Sequence, residues 1–162
     1  MSRKIPRRNL PQLLLKAREE LLCCFRPIIN HFGLTEQQWR IIRSLSEHEQ
    51  LEPREICDLC QILSPSLAGV LARMEELGLV SRTRMAEDQR RVLVRLTPKS
   101  EDLIGRMAPL IEAQYAHIEA ALGPELIAQL YGVLDRLLGA ERPPIRRVEL
   151  PPRPDPGTPA NE

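Results

Sequence analysis

At 162 residues the chain holds either one domain of ordinary size or a small domain plus long helices that need a partner. Its 23 Lys and Arg stand against 22 Asp and Glu, so there is no global basic field and any surface for a polyanion is a local patch. Aromatics make up only 3% of a Leu-rich composition, which suits packed helices better than a β-sandwich. No run of about 18 apolar residues occurs, and the basic stretch 1–8 has no apolar run of signal-peptide type behind it. The expectation is a cytoplasmic protein with no membrane partner, in which four cysteines give no reason to expect disulfides.

Residues 1–9 read as a flexible basic arm, after which Pro11 sits where the first turn of a helix tolerates it. Leu14, Ala17, Leu21, Phe25, Ile28 and Phe32 then recur at the spacing of a long amphipathic helix. Pro27 removes one backbone bond within it and predicts a kink near Cys23, and Gly33 supplies the stop. Thr35 and Gln38 have capping-box spacing for a second helix, with Leu34 and Trp39 as a hydrophobic staple. A third helix starts at Pro53, carries Ile56, Leu59 and Cys60 on one face, and breaks around residues 61–63. The fourth takes Ser64 as N-cap and Pro65 in its first turn, and runs to Gly78.

Two short β runs follow, residues 79–84 and 92–96, the second alternating Val92, Val94 and Leu96 against Leu93 and Arg95. Thr97 and Pro98 open a fifth helix carrying Ile104, Met107, Ile111, Tyr115 and Ile118, bent at Pro109. Gly123 and Pro124 separate it from a sixth with Leu126, Leu130, Leu134 and Leu137, and the proline-rich residues 142–162 read as disordered. The expected fold class is mainly α, an α+β winged helix with six helices and one β-hairpin wing. The apolar stripes of the terminal helices are too wide for so small a middle segment to cover, which predicts a homodimer joined through them.

The hairpin carries Arg82, Arg84, Arg90, Arg91 and Arg95, opposed within it only by Glu87 and Asp88. Before it, the fourth helix turns Leu67, Val70, Leu71 and Met74 inward and leaves Ser66, Gly69 and Arg73 on another face. Small residues near a helix N-terminus let the backbone approach phosphates and base edges, and Arg73 then reaches a guanine or a phosphate. The same residues also fit the plain solvated side of an amphipathic helix, and the hairpin arginines fit a solubilising surface. What favours DNA is the succession of helix, turn, helix and basic hairpin, which makes one docking unit.

The run from Leu71 to Val80, with Arg82, Asp88, Arg90 and the pair Leu96-Thr97, resembles the winged-helix signature of MarR-type transcriptional regulators over roughly residues 10–140. Phe25-Arg26-Pro27-Ile28, the stretch 34–41 and Leu63-Ser64-Pro65-Ser66-Leu67 are similar to the branch of that family that represses homoprotocatechuate-degradation operons. The resemblance implies a homodimer on a pseudo-palindromic operator in double-stranded DNA, with recognition helices in successive major grooves and wing arginines in the flanking minor groove. Asp88 would orient the wing and Arg90 enter the groove; Ser64, Ser66, Gly69, Arg73, Arg84 and Arg91 complete the expected DNA set. Residues 10–34 and 98–141 would form the dimerisation region around a DNA-binding domain at 35–97. Ser100 departs from the Gly that many relatives carry after the Leu-Thr pair, which touches only the start of the fifth helix.

The resemblance also implies a small aromatic acid, homoprotocatechuate or 4-hydroxyphenylacetate, as the effector that releases the operator. In such an architecture Arg18, Arg26, His31, Trp39 and Arg40 fall where the first two helices meet, guanidinium groups for the carboxylate and Trp39 for the ring. Plainer roles stay open: Trp39 as staple, Arg18 and Arg26 paired with Glu19, Glu20 or a partner subunit, and His31 as an exposed helix end. Cys57 and Cys60, with Cys23 and Cys24, leave a second mechanism, a redox-sensing repressor, against a reading as small buried hydrophobes. No second ligand pair completes a zinc set, so neither metal nor cofactor is expected. Nor is an enzyme: there is no phosphate-binding Gly loop or nucleophile elbow, and His31, His48 and His117 lack catalytic partners in sequence motifs.

Overall fold

A computed structural model describes residues 5–85, 88 and 91–151. Its elements run α1 Leu10–His31, α2 Glu36–His48, β1 Gln50–Leu51, α3 Pro53–Cys60, α4 Ser64–Glu76, β2 Val80–Arg84, β3 Val92–Leu96, α5 Pro98–Leu122 and α6 Pro124–Leu138. The expected mainly helical winged helix with six helices is present. The wing hairpin, however, belongs to a three-stranded antiparallel sheet of order β1-β3-β2, because Gln50 and Leu51 pair with Arg95 and Val94. Two residues are too few for a period-two pattern to register, so β1 is silent in the sequence.

Local chemistry accounts for most boundaries. Asn9 caps α1 by accepting from Gln12 N at 3.1 Å, and α1 runs unbroken through Pro27. At α2 the capping box is complete: Gln38 N donates to Thr35 Oγ1 at 3.2 Å, and Thr35 N donates to Gln38 Oε1 at 2.8 Å. The start of α4 corrects the expected cap. Leu63 is the N-cap, its carbonyl already accepting from Ser66 N and Leu67 N, so Ser64 is the first helical residue and no side chain caps this helix. Gly78, at φ +67, supplies the left-handed residue that lets the chain leave α4 for β2.

The chain divides into two compact units, Met1–Ala121 and Leu122–Glu162. The first holds the core, where Ile29 of α1 meets Ile41, Ile42 and Leu45 of α2, Ile56 of α3, Met74 of α4, Val94 of β3 and Met107 of α5. In the second, α6 has no buried residue and exposes Leu126, Leu130, Tyr131, Val133, Leu137 and Leu138. Residues 143–151 have no regular secondary structure, and no single described helix is long and apolar enough to cross a membrane.

Where α4 ends, three successive carbonyls are each met by a side chain from the start of α5. Lys99 Nζ donates to Leu77 O at 2.7 Å, Thr97 Oγ1 donates to Gly78 O at 2.6 Å, and the fully buried Ser100 hydroxyl donates to Leu79 O. Ser100, a departure in the sequence pattern, therefore fastens α5 to the end of α4. Ser100→Ala removes one buried hydrogen bond and is expected to cost about 1 kcal/mol, read as a lower urea midpoint at unchanged m-value. An unchanged midpoint would show that the hydroxyl contributes nothing to holding the two helices together.

Candidate functional site

Helices α3 and α4 meet at 109° across a three-residue break, the geometry of a helix-turn-helix. Gln61 makes the turn in the left-handed region at φ 50, ψ 49, its amide donating to Asp58 O at 2.6 Å, while Ile62 is buried. Leu67, Leu71 and Met74 seat α4 on the core. That leaves Ser64, Ser66, Gly69 and Arg73, all expected to read DNA, together on the exposed side. A Cβ added at Gly69 would meet nothing within 4 Å, so no packing inside the chain demands glycine there. Arg73 Nη1 pairs with Glu76 Oε2 at 3.0 Å, both side chains being about two-thirds exposed, an ion pair that costs little to open. Leu63, in the break between the two helices, is 78% exposed beside Ser64.

In the hairpin, β2 pairs with β3 in the register Arg84↔Val92, Arg82↔Val94 and Val80↔Leu96. At its tip Met85 N donates to Arg91 O at 3.1 Å, and Arg91 N donates to Asp88 O at 3.0 Å. Arg84 and Asp88 are exposed; Arg90, like Glu87, lies outside the described residues. The charge opposing the wing is larger than the sequence neighbourhood suggests. Arg82 Nε donates to Glu75 Oε2 at 2.8 Å, a hydrogen bond that holds the Glu75 carboxyl below its ordinary value. Arg91 Nε donates to Glu52 Oε1 at 2.8 Å, and Arg95 donates to Gln50 Oε1. A groove of about 870 Å³ runs between α3, the first turns of α4 and the wing strands, with Arg54, Cys57, Leu63, Ala68, Arg82 and Val92 among its walls.

The arginines of α1 and α2 converge on a residue that sequence reading missed, Glu36. Arg18 donates to Glu36 Oε1, and Arg26 Nη2 lies 3.6 Å from Glu36 Oε2 and 2.8 Å from Glu19 Oε1. Arg40 adds its charge to the same group while donating through Nη1 to Cys60 O at 2.5 Å. Its buried Nε has no hydrogen-bond partner among the described residues. Trp39 is half-buried against the core, and His31 is exposed with its ring edge-on to Phe32 at 5.2 Å, so no contact places either with the arginine group. Glu36 could have been found as the only acid in the first turn of α2, opposite Arg18 and Arg26 of the preceding helix.

All four cysteines are free thiols, and Cys60 is buried with its sulfur 3.3 Å from Ser44 Oγ. The exposed Cys23 is pushed above its ordinary 9.0 by desolvation against its surroundings, then by Cys24 and Glu20, which works against thiolate formation. No group of three or more His, Cys, Asp or Glu side chains suited to a metal occurs among the described residues.

For Glu36, partial burial raises the carboxyl pKa, but the hydrogen bond and charge of Arg18, with Arg40 and Arg26, outweigh it and leave it below the ordinary 4.5. A depressed folded-state pKa contributes stability that is present above 4.5 and lost as the pH falls below it. Glu36→Gln is therefore expected to flatten the acid limb of a plot of urea midpoint against pH while leaving its alkaline side parallel to wild type. An acid limb identical in the two proteins would show that the arginine cluster does not hold Glu36 ionised.

These elements can be set beside known proteins. Residues 32–91 match the MarR family. Over 128 residues the chain is 41% identical to the HTH-type transcriptional regulator FarR of Neisseria gonorrhoeae, covering 79% of this chain and 88% of that protein. Over 130 residues it is 41% identical to the homoprotocatechuate degradative operon repressor of Escherichia coli, covering 80% and 88% respectively. The crystal structure of NadR in complex with 4-hydroxyphenylacetate matches it with a TM-score of 0.75 at 38% identity, over 87% of this chain and 100% of that one. FarR and the homoprotocatechuate repressor are regulators of transcription by name. With identity of that order over most of each relative, and with the helix-turn-helix and wing in place, the chain belongs to the MarR family of transcriptional regulators.

Proposed function

We propose that this regulator is a cytoplasmic homodimeric repressor of an aromatic-acid catabolic operon, bound to a pseudo-palindromic operator and released by a small aromatic carboxylate. The observation that carries the DNA reading is the exposed face of α4, where Ser64, Ser66, Gly69 and Arg73 lie together beside a basic hairpin. On this reading the α4 N-terminus enters the major groove and Arg73 exchanges Glu76 for a guanine edge or phosphate. Arg84 and Arg90, the latter oriented by Asp88, track the neighbouring minor groove. Residues 35–97 form the DNA-binding domain. Residues 10–34 and 98–141 join the two copies, a role supported by the apolar residues that α1 and α6 leave exposed.

For the effector, the arginine group around Glu36 supplies the anion site, with Arg18, Arg26 and Arg40 for the carboxylate, while Trp39 and His31, which no contact places with that group, are supported only by the family resemblance. The unpartnered Nε of Arg40 supports this, as does the similarity to a homoprotocatechuate repressor and to NadR, whose complex contains 4-hydroxyphenylacetate. Because Arg40 also holds Cys60 O, an anion that draws this guanidinium away pulls on the end of α3 and on the turn before α4. Release then follows if the effector binds the DNA-incompetent spacing of the two recognition helices more tightly.

Gly69→Ala tests the close approach. Replacing a mid-helix glycine with nothing in its way is expected to stabilise the fold by about 0.5–1 kcal/mol. In an anisotropy titration on the duplex that wild type selects from random-sequence DNA, the same change is expected to weaken binding. Wild-type affinity in a stabilised variant would remove α4 from the interface. In the same assay 4-hydroxyphenylacetate is expected to displace wild type from the duplex. Undisturbed binding at saturating aromatic acid, with no heat in calorimetry, would rule out that effector class.

A further inference from the structure

We infer that Arg91 is the anchor that orients the wing, through Glu52, and is not one of the groups that contact the operator. This rests on the operator reading above but changes the role of one of its residues. The sheet register brings the two side chains together. Gln50 faces Arg95 and Leu51 faces Val94, so the register continued by one residue sets Glu52 opposite Leu93 and diagonal to Arg91 on the same side of the sheet. There Arg91 directs both Nε and Nη2 at Glu52 Oε1, closing a link across 39 residues of sequence.

Both partners sit at junctions between elements. Glu52 is the N-cap of α3, and its backbone N–H is held by Glu55 Oε2 at 2.7 Å, so the carboxylate sits on a fixed mount at the entrance to the helix-turn-helix. Arg91 closes the hairpin tip through its backbone bonds to Met85 and Asp88. The pair therefore joins the part of the wing nearest its tip to the start of the helix pair that carries α4. Arg82 with Glu75 makes a second link, from β2 to the last turn of α4, and Arg95 with Gln50 a third within the sheet. Among the described residues Arg84 makes no ion pair, which leaves it as the strand arginine available to a phosphate.

An anchor and a DNA contact respond oppositely when the acid partner is removed. If Arg91 reached a phosphate, Glu52 would compete with the operator, and Glu52→Gln would tighten binding. If Arg91 anchors the wing, Glu52→Gln and Arg91→Ala both loosen it. The test is affinity as a function of salt, on the duplex that wild type selects from a random-sequence pool, for both single variants and for the exchanged pair Glu52→Arg with Arg91→Glu. Circular dichroism and urea melts confirm that each variant is folded.

The expected result is a weakening of about two- to fivefold in each single variant, the range an exposed ion pair supplies. The salt slope should remain that of wild type, and the exchanged pair should recover most of the lost affinity. Three results overturn the inference: a slope shallower by about 0.9 in Arg91→Ala, the mark of a lost phosphate contact; tighter binding by Glu52→Gln; or wild-type affinity in both single variants. A wild type that selects no duplex sinks the operator reading and this inference with it. A wild type that binds while the variants behave otherwise sinks the inference alone.

Discussion

A helix can offer small polar residues to a partner only if its opposite face is fully seated, and the burial of Leu67, Leu71 and Met74 is what seats α4. Burying side chains of this size contributes roughly 1.5–3 kcal/mol each. That burial fixes where α4 lies, and its two ends fix how it is aimed. At the front, the left-handed Gln61 and buried Ile62 set the 109° angle to α3. At the back, Gly78 turns the chain away, and Thr97 with Lys99 and Ser100 of α5 hold the carbonyls of residues 77–79 that follow the helix. The helix is thereby fastened to α5, part of the region proposed to join two copies. A shift of α5 cannot leave α4 behind without breaking those bonds.

Electrostatics in this molecule is a matter of local placement, since the net charge is only +1. Two arginines of the hairpin, Arg82 and Arg91, are already paired with carboxylates, Glu75 and Glu52, so the count of basic residues overstates its free positive charge, while Arg95 keeps its charge on the neutral amide of Gln50. Exposed pairs such as Arg73 with Glu76 are weak enough to be exchanged for phosphates. A two-nitrogen link to a carboxylate on a capped helix start serves better as a strut. The same contrast recurs at Glu36, where an acid in the first turn of α2 gathers Arg18 and Arg26 from α1 and feels the charge of Arg40.

Much of the fold was legible because its signals are local. Thr35 with Gln38, Pro53, Gly78, and the three-and-four spacing of apolar residues each act within a turn or two of helix, where residue type and backbone geometry are directly coupled. The start of α4 was misplaced by one residue because Ser64 is a good cap by type, whereas the backbone turns at Leu63. The strand β1 escaped because its two residues owe their conformation to β3, more than forty positions away. The DNA face was readable from Ser64, Ser66, Gly69 and Arg73, all on one helix. The partners Glu52 and Glu75 were not, because an ion pair between elements has no spacing rule in sequence.

The reading of two copies presenting two α4 helices to one duplex is tested most directly by joining stoichiometry to a footprint. Sedimentation of the complex with a selected duplex should give two chains per DNA. Hydroxyl-radical and methylation protection on the same duplex should mark two major-groove segments about one helical turn apart, with protected minor groove on their outer flanks. One chain per duplex, or protection confined to a single groove segment, would contradict it.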